Sequence, residues 1–187
     1  MSLDLADCSD GDLAALGSAG RQAAYSELMR RHRDTIYRII RGNIADADQA
    51  LDVTQQTFIA AFAALDRYDR ARPFRLWLIR IALNKCHDWA RRRAVRRFFV
   101  FALPIEDARS VADPAIGADV ALSDRQDLRR AMDAMAKLPS NLRETLTLRT
   151  IEGLSQSETA LALGVSEKAV ETRLYRARAK LVELLRD

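Results

Sequence analysis

The sequence is poor in the residues from which active sites are usually built. Its 187 residues include only two cysteines, Cys8 and Cys86, and two histidines, His32 and His87. Two cysteines make neither a disulfide framework nor a zinc set, and neither histidine has a cysteine or a second histidine nearby. No Gly-rich phosphate loop and no nucleophile elbow occur. Catalysis, a bound metal and a cofactor are therefore not expected. Seven glycines, four prolines and 6% aromatic residues are too few for an all-β chain. No run of 18 apolar residues is present, so no membrane span is expected. The polar, acidic opening "MSLDLADCSDGD" is unlike a signal peptide. A soluble, cytoplasmic protein is the expectation. Redox sensing by Cys8 or Cys86 is left open, with inert thiols the simpler reading.

What is present points to helices. Hydrophobic residues make up 49% of the chain and charged residues 30%, in long stretches rich in Ala, Leu and Arg. The net charge of +4 permits a nucleic-acid partner without requiring one. The first clear helical period covers residues 22–41, through Tyr25, Leu28, Met29, Ile36, Ile39 and Ile40, and Gly42-Asn43 stops it. A second helix is predicted over 47–68, with Leu51, Phe58, Phe62 and Leu65 inward and Asp48, Asp52, Gln55 and Ile59 sharing another face. Pro73 opens a third, because a first helical turn needs no proline N–H. Along it Trp77, Arg80, Asn84, His87 and Arg91 follow at spacings of 3, 4, 3 and 4, which lines one edge. Residues 75–97 hold eight basic side chains against one acid, Asp88, so most of the positive excess sits in this element.

Residues 98–118 lose all period and contain Pro104, Pro114 and Gly117, the composition of a linker. Extended, such a segment reaches roughly 65–70 Å. The expected architecture is all-α: two small helical domains, 1–97 and 119–187, on a flexible tether. In the second, Ser123 is a candidate N-cap for a helix burying Leu128, Ala131, Met132 and Met135. Its end carries a sharper signal. Ser155 and Glu158 have capping-box spacing. Ala160 is small where two helices must approach. Gly164 suits a turn that needs positive φ. Ser166 is placed to cap the next helix. This is the pattern of a DNA-binding helix-turn-helix. Val170, Leu174, Ala177 and Leu181 form the inward stripe of the last helix. Lys168, Glu171, Thr172, Tyr175 and Arg176 form its polar side, with Arg173 and Arg178 flanking it.

Taken together, "DQALDVTQQTFIAAF", "FRLWLIRIALNKCHDWARRR" and "AMAKLPSNLRETLTLRTIEGLSQSETALALGVSEKAVETRLYRARAKL" resemble, in order, three segments of the extracytoplasmic-function (ECF) sigma factors of the sigma-70 family. The resemblance covers about residues 10–96 and 119–187. It implies a promoter-specificity factor with three partners: core RNA polymerase through its β′ clamp, promoter DNA, and an anti-sigma factor. It assigns clamp docking to Asp48, Asp52 and Gln55. It assigns capture of a flipped −10 base to Asn84, supported by Trp77, Arg80, His87 and Arg91. It assigns −35 reading to Lys168, Glu171, Thr172, Arg173, Tyr175, Arg176 and Arg178. Trp77 has a second reading as a core aromatic. Thr159 stands where the family usually has Ile. Glu171 stands where a basic or small polar residue is common, and a carboxylate there suits cytosine N4. The competing function is a stand-alone helix-turn-helix regulator, which explains residues 155–185 and leaves the first two segments without a task.

Overall fold

The computed structural model describes residues 4–102 and 119–186, with side chains except at 97–102, 119–125, 127 and 128. Most of the expected linker, and the expected inward side chain of Leu128, lie outside the described residues. Eight α-helices account for the fold: α1 Asp10–Ser18, α2 Gln22–Asn43, α3 Ala47–Ala63, α4 Phe74–Ala102, α5 Asp119–Lys137, α6 Ser140–Leu146, α7 Gln156–Leu163 and α8 Glu167–Arg186. No strand occurs among the described residues.

Local chemistry explains the boundaries. Ser9 caps α1 by accepting from the Asp12 N–H at 3.1 Å. Asp46 caps α3 by accepting from the Gln49 N–H at 2.8 Å. The period expected to run to residue 68 breaks at Ala64, and one 3₁₀ turn, Leu65–Arg67, follows. That turn brings Tyr68 onto Phe74 and Trp77, with ring centroids 5.2 and 5.1 Å away. α1 is an addition to the sequence reading. α4 continues to Ala102, beyond the point where the linker was expected, and α5 begins at Asp119, which puts Ser123 inside the helix rather than at its cap.

In the N-terminal half α2 packs against α1, α3 and α4. Leu13, Leu28, Ile36, Ile39, Ile40, Leu78 and Ile79 are almost wholly buried there. In the C-terminal half α8 packs against α5, α6 and α7, over Leu138, Leu146 and Ala177. The halves also touch each other: α4 lies against α7, and α2 against α6. Leu148, Leu154 and Ala162 of the C-terminal half join the N-terminal core. A π-helical turn, Thr147–Ile151, ends α6 and carries the chain into this contact.

Candidate nucleic-acid interface

The helix-turn-helix forms as its residues dictate. The Glu158 N–H donates to Ser155 Oγ (3.1 Å) and the Ser155 N–H to Glu158 Oε2 (2.7 Å), which completes the capping box. The Ser155 backbone hydrogen bond, helped by the hydroxyl, holds the Glu158 carboxyl below its ordinary range. Gly164 takes φ 65° and ψ 39°, a conformation that side chains with a Cβ resist. Ser166 Oγ accepts from the Ala169 N–H at 3.2 Å and starts α8. Thr159 is fully buried, and its hydroxyl donates to the Ser155 carbonyl at 2.8 Å, so the polar group at this core position is satisfied.

α8 buries Val170 and Ala177 and turns its polar side outward. Lys168, Glu171, Tyr175, Arg176 and Arg178 are exposed, Tyr175 by 75%; Thr172 and Arg173 are half-buried. Lys168 Nζ and Glu171 Oε2 form an ion pair at 2.9 Å. Both ends are solvated, so a ligand can separate them at little cost. A shallow groove of about 420 Å³ runs beside this face, and Arg149 and Gln156 line it as well. Neither residue lies among those that the sequence pattern marks for this face. Gln156 opens α7 directly after the Ser155 cap, and its Nε2 donates to the Glu167 carbonyl at 3.1 Å, a contact across the turn that no local spacing marks.

Along α4 the side chains of Arg80, Asn84, His87 and Arg91 are exposed. Trp77 departs from that edge. It is half-buried between Tyr68 and Phe74, with centroids 5.1 and 5.4 Å away, which is its core-aromatic reading. On α3, Asp48, Asp52 and Gln55 are exposed, as their spacing predicts. Leu51 was expected inward but is 52% exposed, beside Ile59 at 69%. With Met29, Tyr37 and Phe62 these residues line an apolar groove of about 660 Å³ between α2 and α3. An exposed apolar groove with Arg33, Asp34 and Gln55 at its rim has the character of a protein-docking site.

Residues 28–96 match the family Sigma-70 region 2, and residues 128–181 match Sigma-70, region 4. The chain is 42% identical to the RNA polymerase sigma factor CnrH of Cupriavidus metallidurans, over 94% of each chain. It is 33% identical to the ECF RNA polymerase sigma factor SigM of Mycobacterium tuberculosis, over 95% of this chain and 85% of that one. It belongs to the ECF sigma factors. Among solved structures, CnrH in complex with the cytosolic domain of CnrY superposes with a TM-score of 0.70 at 38% identity, over 94% of this chain and 96% of that one. The sigma factor RpoE of Bartonella quintana, solved with the anti-sigma factor NepR, shares the fold with a TM-score of 0.68 at 22% identity, over 87% and 96% of the two chains.

In this sigma factor the two halves meet through charged groups. His87 Nε2 is hydrogen-bonded to Glu144 Oε1 at 2.5 Å. Arg38 Nε and Nη2 donate to Glu152 Oε1 and Oε2 at 2.9 and 3.1 Å, and Arg75 Nη2 lies 3.5 Å from Glu152 Oε2. The Arg80 guanidinium approaches the turn of the helix-turn-helix: a Cβ on Gly164 would lie 3.5 Å from its Nη2. Cys86 is buried beneath this contact, and burial first, then the charge of Glu144, pushes its thiol up to about 12. A thiol so held is not a reactive thiolate at neutral pH. Among the described residues no group of three or more His, Cys, Asp or Glu is placed to hold a metal, and no helix is long and apolar enough to cross a membrane.

Proposed function

We infer that this ECF sigma factor is a promoter-specificity subunit of bacterial RNA polymerase, acting in the cytoplasm as an initiation factor with no catalysis of its own. The N-terminal domain, residues 1–97, docks on the β′ clamp through Asp48, Asp52 and Gln55 and the apolar groove beside them. Its α4 edge holds the opened −10 strand. Asn84 offers an amide to a flipped base edge, and Arg80, His87 and Arg91 offer charge to the backbone, the combination that single-strand binding requires. Trp77 supports this edge from below, as part of the aromatic cluster on which α4 rests. The C-terminal domain, residues 119–187, sets α8 in the −35 major groove. There Lys168, Glu171, Thr172 and Tyr175 face bases, and Arg173, Arg176 and Arg178 face phosphates. Residues 103–118, between the end of α4 and the start of α5, connect the two as a linker.

The observation that carries the reading is the outward polar face of α8 on a satisfied helix-turn-helix, in one chain with the α3 groove. A stand-alone regulator has no use for that groove. The net charge of +4 is small, so the free chain binds duplex weakly and gains its affinity with the polymerase. An anti-sigma factor is its expected regulator, since CnrH and the Bartonella RpoE were each solved with a partner, the latter named as one. The test is run-off transcription from genomic promoter fragments by core polymerase with and without the purified chain. Specific initiation that depends on the chain is expected. Tight operator binding without polymerase, and no initiation, would select the regulator reading instead.

A further inference from the structure

Glu152 occupies an unusual place for a carboxylate in a basic protein. Its side chain is 1% exposed, while the two guanidiniums that hold it, on Arg38 and Arg75, remain 51% and 40% exposed. Arg38 grips it with a parallel fork, Nε and Nη2 to the two oxygens at 2.9 and 3.1 Å. Arg75 adds its Nη2 to the same group at 3.5 Å and donates to the Glu152 carbonyl at 3.3 Å. Thr35 Oγ1 accepts from Arg38 Nη2 at 3.2 Å and steers the fork. Two converging guanidiniums around one oxyanion form the geometry that also binds a phosphodiester. Asp34, near Arg38, and Glu158, near Arg75, also face this pair.

The position of the cradle matters as much as its shape. Arg75 lies in the first turn of α4, the helix that carries the exposed edge. A second carboxylate of the C-terminal half, Glu144, sits on His87. At 1.5 Å per residue, Arg75 and His87 are about 18 Å apart along the helix. Two acids of one half thus take positions along the basic helix of the other, where a strand's backbone charges would lie. We propose that Arg38 and Arg75 form a phosphate-binding cradle for the opened promoter strand, and that Glu152 fills it until the two halves part. The proposal rests on the promoter-opening reading above and adds two residues and an intramolecular competitor to it. It makes the free chain poor at binding single strands while its duplex-reading face on α8 stays uncovered.

The test uses the full chain and a 20-nucleotide mixed-sequence single-stranded DNA, with fluorescence anisotropy across a sodium chloride series. Glu152→Ala should tighten binding about tenfold more than Glu183→Ala, which removes one negative charge from the exposed end of α8. Adding Arg38→Ala and Arg75→Ala to Glu152→Ala should abolish the gain and lower the log–log salt slope by about 0.7, the value of one phosphate contact on a single strand. Arg38→Lys with Arg75→Lys on the same background should keep the slope. Wild-type helicity by circular dichroism is required of each variant. Equal affinities for Glu152→Ala and Glu183→Ala, or a gain that survives loss of both arginines, would overturn the cradle. If the wild-type chain directs no initiation with core polymerase, the promoter reading itself falls. If it initiates while Glu152→Ala changes nothing, only the cradle does.

Discussion

Gly42→Ala tests whether the two halves touch in solution as they do in the structure. Gly42 lies one residue from the end of α2, in helical backbone, where alanine is favoured over glycine by about 1 kcal/mol. In isolation the substitution would stabilise. In the closed chain a Cβ at this position falls 2.9 Å from Thr147 Oγ1 and 3.0 Å from its Cγ2. Thr147 has no slack: its side chain is β-branched, so rotation about χ1 replaces one branch with the other. It is also fully buried. Forcing a methyl into such a site costs about 1–3 kcal/mol, so Gly42→Ala should be neutral to about 2 kcal/mol destabilising. Thr147→Ala removes the obstruction, along with a buried hydroxyl that has no hydrogen-bond partner among the described residues. On that background Gly42→Ala should recover its intrinsic gain of about 1 kcal/mol. A double-mutant cycle by urea unfolding, read by circular dichroism at matched m-values, should give a coupling of at least about 1 kcal/mol between the two sites. If Gly42→Ala stabilises equally on both backgrounds, α2 and the π-helical turn do not meet in solution, and the argument fails.

Three further outcomes follow from the geometry. The His32 hydrogen bond to Asp10, at 2.7 Å, together with the nearby Arg31, holds the Asp10 carboxyl below its ordinary value of 3.8 despite partial burial. A depressed carboxyl stabilises the fold above its unfolded value and stops doing so as pH falls through its folded one. Asp10→Asn should therefore cost about 1–3 kcal/mol at pH 7 and flatten the loss of stability below about pH 4; parallel acid limbs in wild type and variant would refute this. Glu171→Ala should relax a preference for cytosine in a binding-site selection with holoenzyme, because only the carboxylate accepts from N4; an unchanged base preference rules it out as the reader. Ile59→Asp, at a position 69% exposed, should leave the melting temperature within a few degrees of wild type while weakening association with core polymerase at least tenfold. Unaltered association in a pull-down would exclude the α3 groove from docking.

Much of this protein was legible residue by residue. The helix-turn-helix could be read because its determinants are local: a capping box at Ser155 and Glu158, a left-handed turn at Gly164, a cap at Ser166, and an apolar stripe through Val170 and Ala177. Each depends on neighbours within about two helical turns. The acidic and amide face of α3 and the basic α4 edge were visible for the same reason. α1 is not legible because nine residues carry too little period, although Ser9 and Asp12 have the spacing of a cap. What escaped the sequence was which of two available stripes a helix buries. Leu51 and Trp77 each lie on a helix with more than one apolar row. The packing of α2 against α3 left Leu51 in an open groove, and the turn at Leu65–Arg67 drew Trp77 into an aromatic cluster. Nothing in the sequence marks Glu144 and Glu152 for burial, since a carboxylate is buried only where a partner meets it and here the partners are distant in sequence. Their partners are 57 residues away at His87 and 114 away at Arg38. The sequence by itself determined the helices, the reading motif and the distribution of charge, because these follow from short-range spacing. Only the tertiary structure decided which charged groups stay free, because that depends on which surfaces the two halves press together.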